Sequence, residues 1–151
     1  MLYVAYGSNM NLEQMKYRCP NSKLIGTGTI NGWELVFNIH ADIIETNNPE
    51  DSLPVVVWDI ADEDWVYLDM YEGYPRYYVK REVPVNINNG NSDYAIVYVM
   101  NDARKGICPP YEDYFDSIVS GCFDNGIDVK YLYDALNSSY DNETEHNQYT
   151  V

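Results

Sequence analysis

Tyr3-Val4-Ala5-Tyr6-Gly7-Ser8-Asn9-Met10 opens the chain as a short apolar strand running straight into a Gly-Ser-Asn turn. Leu12 to Tyr17 follows with a helical pattern, so the stretch predicts a strand-to-helix corner. Such corners suit chemistry for two reasons. A glycine lets backbone approach a ligand closely, and the N–H groups of a starting helix attract an anion. Many folds begin this way, so the corner alone fixes no function. It gains meaning from a second segment, Asp69-Met70-Tyr71-Glu72-Gly73-Tyr74-Pro75, which sets a carboxylate beside a glycine helix stop.

Strands dominate outward from the corner. Leu24 to Ile30 and Trp33 to Asn38 read as paired strands joined by Asn31-Gly32, a favoured two-residue hairpin turn. Ile39 to Ser52 is polar and acidic and reads as a loop. Pro54 to Ile60 is a continuous apolar run, expected as a buried strand. Asp62-Glu63-Asp64 places acids at a helix start, where they suit the dipole, and Trp65, Leu68 and Met70 give that helix an apolar side. Tyr77 to Val85 and Tyr94 to Met100 are the next strands, with a turn at Asn88 to Asn91 between them. Pro109-Pro110 introduces a helix over Tyr111 to Asn125, with Tyr114, Phe115, Ile118, Val119 and Cys122 at helical spacing. Gly126 ends it, and Asp128 caps a second helix carrying Leu132, Ala135 and Leu136. The predicted domain covers 1–136, and 137–151 reads as a frayed polar tail. Strands first and helices last define a single α+β domain.

At 151 residues and 46% hydrophobic, the chain is large enough for one domain with a true core. No apolar run reaches membrane-spanning length, and Met1-Leu2-Tyr3-Val4 reads as a first strand rather than a signal peptide. The balance of 24 acidic against 9 basic residues, net −15, repels phosphates and anionic membranes. Neither nucleic acid nor membrane is therefore an expected partner, and the expected location is cytoplasmic. Cys19, Cys108 and Cys122 are odd in number and lack metal spacing, so free thiols in a reducing compartment are expected. Most of the 16 tyrosines are expected to pack with a wet hydroxyl end, and a polar-aromatic pocket is the alternative.

Glu72 stands at the C-terminal end of its predicted helix, facing the negative end of the dipole. That field, with desolvation by Tyr71 and Tyr74, would raise its pKa and make it a usable general base or acid. Local sequence leaves two readings open: a solvated helix-end residue, which the immediate neighbours favour, and a proton carrier. His40 and His146 are far apart and no HxxxH or CxxC spacing occurs, so neither a metal nor a cofactor is expected. Ser8 lacks the G-x-S-x-G elbow, and Gly26-Thr27-Gly28 is a strand-edge pattern rather than a phosphate loop. Surface ion pairs are the expected role of Arg18 and Arg76, with carboxylate capture as the alternative.

Tyr6-Gly7-Ser8-Asn9 with Met10 and Arg18-Cys19-Pro20, followed by Leu68 to Pro75 and Tyr78, resembles the γ-glutamylcyclotransferase family, which includes the plant AIG2-like proteins. Pro109-Pro110, Tyr114, Ile118, Gly121 and Gly126 form a looser third match. The resemblance implies a small mixed barrel-like sheet with peripheral helices. It implies that the Tyr6-Gly7-Ser8-Asn9 loop binds a γ-glutamyl group and that Glu72 carries protons. The implied reaction is an intramolecular acyl transfer: the substrate's α-amino group attacks its own γ-carbonyl, giving 5-oxoproline and a free amine or amino acid. Tyr78 and Tyr114 are further substrate-binding candidates through their hydroxyls. Core packing competes with that role at both positions, more strongly at Tyr114. The implied partner is a small γ-glutamyl compound, on a monomer or weak homodimer. A non-catalytic small-ligand binder on the same fold is the alternative, and an acidic interaction surface is a third reading.

Overall fold

A closed five-stranded barrel forms the centre of the computed structural model, which describes residues 1–143. Round the barrel run β1 (Leu2–Ala5), β5 (Ser52–Asp59), β2 (Lys23–Asn31), β6 (Tyr78–Ile87) and β7 (Ser92–Met100). β1 lies antiparallel to β5, from Leu2 opposite Asp59 to Ala5 opposite Val56. It closes the barrel by a parallel pairing to β7 at Tyr3 and Ile96. The β-branched run Val55-Val56-Val57 is fully buried in β5, as its unbroken apolar character predicts. This is a single α+β domain with a barrel-like sheet, and the expected fold class holds.

Two local readings differ from the structure. β2 and β3 (Trp33–Asn38) are not a hairpin. β2 pairs instead with β5 and β6, while β3 pairs with β4 (His40–Glu45) in a separate two-stranded sheet. Gly32, at φ +80°, turns the chain out of the barrel rather than back along β2. The stretch expected as one loop from Ile39 to Ser52 therefore contains a strand. Its Asp42 is buried because Lys105 Nζ lies 2.9 Å from Oδ2 and Met100 N donates to Oδ1 at 2.8 Å. A charge in sequence suggests exposure, and these partners remove the cost of burying it.

Helices pack around the barrel. α1 (Leu12–Arg18) starts at Asn11, whose side chain accepts from Gln14 N at 3.1 Å. α2 (Trp65–Glu72) ends at Gly73, which takes φ +62° and donates back to Met70 O. α3 (Glu112–Asp124) buries Phe115, Ile118 and Cys122. α4 (Lys130–Asp141) starts from Val129 rather than from the expected cap Asp128, which lies one residue further back and accepts from Lys130 N through Oδ1 at 2.9 Å. The polar stretch after Asn137 does not fray at once, since α4 continues to Asp141 with Ser139 buried. The rest of the predicted tail, 144–151 with His146, lies outside the described residues. No helix among the described residues is long and apolar enough to cross a membrane. The three cysteines are free thiols.

Candidate active site

The corner after β1 and the end of α2 meet at one cavity of about 330 Å³. A 3-10 turn over Ser8–Met10 follows Gly7, with Ser8 and Asn9 buried. Its first hydrogen bonds run from Met10 N to Gly7 O at 3.0 Å and from Asn11 N to Ser8 O at 3.1 Å. Among the described residues, no acceptor takes the N–H groups of Gly7, Ser8 or Asn9, and all three residues line the cavity. Trp58 Nε1 donates to Asn9 O at 3.1 Å and fixes the turn against β5. α3 holds it from the other side. A Cβ built on Gly121 would stand 2.8 Å from Asn11 N and 2.8 Å from Met10 C, so only glycine permits this approach. Asn125 Nδ2 donates to Met10 O at 2.8 Å across the same contact.

Glu72 reaches this loop: Asn9 Nδ2 donates to its Oε1 at 3.3 Å. The residue is part-buried and its carboxyl end is the enclosed part. Burial raises the Glu72 pKa to about 8, against the opposing field of Arg18. The expected direction is thus present, with burial as its main cause. Tyr71 lines the cavity with Glu72, whereas Tyr74 does not and stands instead with its ring 4.6 Å from Lys80 Nζ.

Every residue singled out for substrate binding lines this cavity, together with Glu72. Tyr6, however, donates its hydroxyl to Tyr98 O at 2.6 Å. Tyr78 donates to Ala41 O at 2.6 Å, and Tyr114 accepts from Ala41 N at 2.9 Å. Tyr78 and Tyr114 therefore grip both backbone groups of Ala41 and hold the start of β4 against the pocket wall. Burial pushes all three hydroxyls above the ordinary tyrosine range. His40 stands edge-on to Tyr114 at 5.0 Å, its pKa lowered by burial.

Several lining residues are not singled out by sequence: Tyr3, Tyr98, His40 and Ala41 come from strands whose pairing decides their place. Arg18 is a correction. It makes no ion pair with a carboxylate among the described residues. Its guanidinium stacks 3.5 Å from the Tyr71 ring centroid and donates to Asn9 Oδ1 and, at 3.4 Å, to Ser8 Oγ. A signal exists for this placement, because Arg18 follows buried Met15 by three residues and shares its helix face. Among the described residues, no group of three or more His, Cys, Asp or Glu side chains is placed to hold a metal.

The barrel, the open N–H groups of a glycine turn and an enclosed glutamate define a class of small α+β domain in which the turn and the glutamate share a cavity. The chain belongs to the family described as gamma-glutamyl cyclotransferase, AIG2-like, whose profile matches residues 3–116. The gamma-glutamylcyclotransferase of Bos taurus is 29% identical over 141 residues, covering 86% of this chain and 74% of that protein. Its Homo sapiens counterpart is 28% identical over the same length and coverage. A solved gamma-glutamyl cyclotransferase structure shares the fold with a TM-score of 0.76 at 24% identity, covering 97% of this chain and 89% of the other.

Proposed function

We propose that this protein cyclises a γ-glutamyl amine or γ-glutamyl amino acid to 5-oxoproline, with Glu72 as general base and then general acid. The observation that carries the proposal is the enclosed Glu72 carboxyl, raised to about 8 and 3.3 Å from the side chain of the glycine-turn residue Asn9. Family membership and the names of the two mammalian relatives support a cyclotransferase activity.

The chemistry is balanced by one carboxyl group. Ionised Glu72 takes a proton from the substrate α-ammonium, and the freed nitrogen attacks the γ-carbonyl carbon to close a five-membered ring. The carbonyl oxygen becomes an oxyanion, for which the N–H groups of Gly7, Ser8 and Asn9 are candidate donors; the substrate α-carboxylate is their other candidate partner. When the tetrahedral carbon collapses, the original amide C–N bond breaks and Glu72 gives its proton to the departing nitrogen. The carboxylate so regenerated takes the second proton from the ring nitrogen, leaving the neutral lactam, and passes it to the released amine, which leaves as its ammonium. The reaction is intramolecular, so a pocket that folds the substrate into a near-attack shape supplies much of the rate.

The test is a panel of γ-glutamyl amines and γ-glutamyl amino acids incubated with the protein. Release of 5-oxoproline in equal amount with the free amine is the expected result. Saturable binding across the panel with no 5-oxoproline would replace catalysis with ligand capture.

A further inference from the structure

We propose that Arg18 is a positioning residue of this site: by occupying Asn9 Oδ1 it fixes the Asn9 amide so that its NH₂ face, a donor, is turned to Glu72. The inference rests on Glu72 being the proton carrier. Arginine has only donors, so the Asn9 atom it touches must be the carbonyl oxygen. With Oδ1 held by Arg18, Nδ2 faces the other way, donating to Tyr3 Oη at 3.0 Å and to Glu72 Oε1 at 3.3 Å. Flipped, the same amide would offer Glu72 an acceptor, which supports a protonated carboxyl and opposes an ionised one. Asn9 Nδ2 and Oδ1 are chemically distinct but nearly equal in shape, so packing alone does not choose between the two orientations.

Arg18 is itself held for this task. Tyr71 stacks on the guanidinium plane, and the Tyr71 hydroxyl lies 2.7 Å from Ser8 Oγ, which also accepts from Arg18. Arg18 is not among the residues that wall the cavity, so its effect reaches the substrate through Asn9 and Glu72. The other ionisable groups lining the cavity with Glu72 include Tyr3 from β1, Tyr6 from the corner, Tyr78 from β6, Tyr98 from β7 and Tyr114 from α3, with His40 from β4 and Tyr71 beside Glu72 on α2. Burial raises the first five and lowers His40, so these six favour the neutral form. Behind Tyr98, Asp69 is paired with Lys80 at 2.8 Å. Arg18 is the charge whose field acts on Glu72.

The experiment titrates Glu72 directly by the ¹³C shift of its carboxyl carbon in wild type, Arg18→Met and Arg18→Lys. In parallel, kcat and KM for γ-glutamyl-alanine are followed over the same pH range. In Arg18→Met the inflection should move up by about one pH unit. kcat/KM near neutral pH should then fall on the order of tenfold. The deficit should narrow above the inflection and be carried by kcat more than by KM. Arg18→Lys should lie between the two. An unmoved inflection in Arg18→Met, or a loss carried by KM alone, overturns the proposal. Arg18→Gln takes its place, with the same expected and overturning results, should the Met variant fail to fold. The carboxyl titration needs no turnover: a moved inflection without 5-oxoproline in wild type sinks the catalytic reading only. Turnover with a fixed inflection sinks the Arg18 role only.

Discussion

Glu72 stores a conflict between stability and chemistry. With its folded pKa at about 8, the native protein holds a proton that the unfolded chain has already lost above the ordinary carboxylate range. This group therefore makes stability fall as pH rises from about 4, and its full cost is present above about 8. By linkage the cost is on the order of 3 kcal/mol at neutral pH. Glu72→Gln removes it, so thermal melts should show the variant more stable than wild type near pH 8, with the gap closing near pH 4. A variant less stable at both ends would mean that the carboxyl is not enclosed as described. For catalysis, kcat/KM should rise with pH through about 8, the ionisation of free Glu72. The substrate ammonium favours the carboxylate, so the limb in kcat should lie at lower pH. A flat profile from about pH 5 to about pH 8 would contradict a proton-transfer role.

The turn residues divide in the same way. A Cβ on Gly7 would meet Ala41 Cβ and Tyr114 Oη, each at 3.3 Å, so the branched side chain of Gly7→Val should displace the pocket wall and abolish activity. Ser8→Ala loses the bond to Tyr71 Oη, worth about 1 kcal/mol, and a drop of about fivefold is expected. Steady-state kinetics of the two variants would expose a misread turn if their order were reversed. The Gly7–Asn9 turn was legible because a glycine corner is a local feature, whereas Glu72, whose immediate neighbours favour a solvated helix end, was singled out by the family resemblance. The Arg18 stack and the grip of Tyr78 and Tyr114 on Ala41 were not legible, because each needs a partner brought from a distant element.

At the level of elements, the packing of α3 on the corner determines where the turn sits. Gly121→Ala places a methyl group against backbone atoms of Met10 and Asn11 that cannot swing aside. Overpacking of this kind costs about 1–3 kcal/mol, and the displaced turn should lower kcat as well as the melting temperature. A variant with wild-type melting and turnover would show that α3 does not hold the turn. The same scale explains the misread Asn31-Gly32. Local preference favours a hairpin there, but β2 finds a longer ladder along β5, from Lys23 opposite Asp59 to Asn31 opposite Ser52. The partner that decides the pairing lies more than twenty residues away. β4 was hidden for a related reason: His40-Ala41-Asp42-Ile43-Ile44-Glu45 mixes charges into a strand, and buried Asp42 depends on Lys105.

Over the whole molecule, the net charge of −15 acts on every substrate that approaches the cavity. A γ-glutamyl amino acid carries net negative charge, so added salt should raise its kcat/KM as the screening length shrinks from about 30 Å to about 8 Å. A γ-glutamyl amine with a neutral leaving group should show little salt dependence. Equal responses from the two substrates would rule out a long-range field at the cavity mouth. The α+β class was readable from the order of strands and helices along the chain. Barrel closure was not, because it rests on the parallel pairing of β1 with β7, joined by Tyr3 and Ile96. The central claim is most directly tested by measuring 5-oxoproline released from γ-glutamyl-alanine by wild type and by folded Glu72→Gln near pH 8. Release by wild type and none above the uncatalysed background from the variant is the predicted result. Equal release by both would contradict Glu72 as the proton carrier.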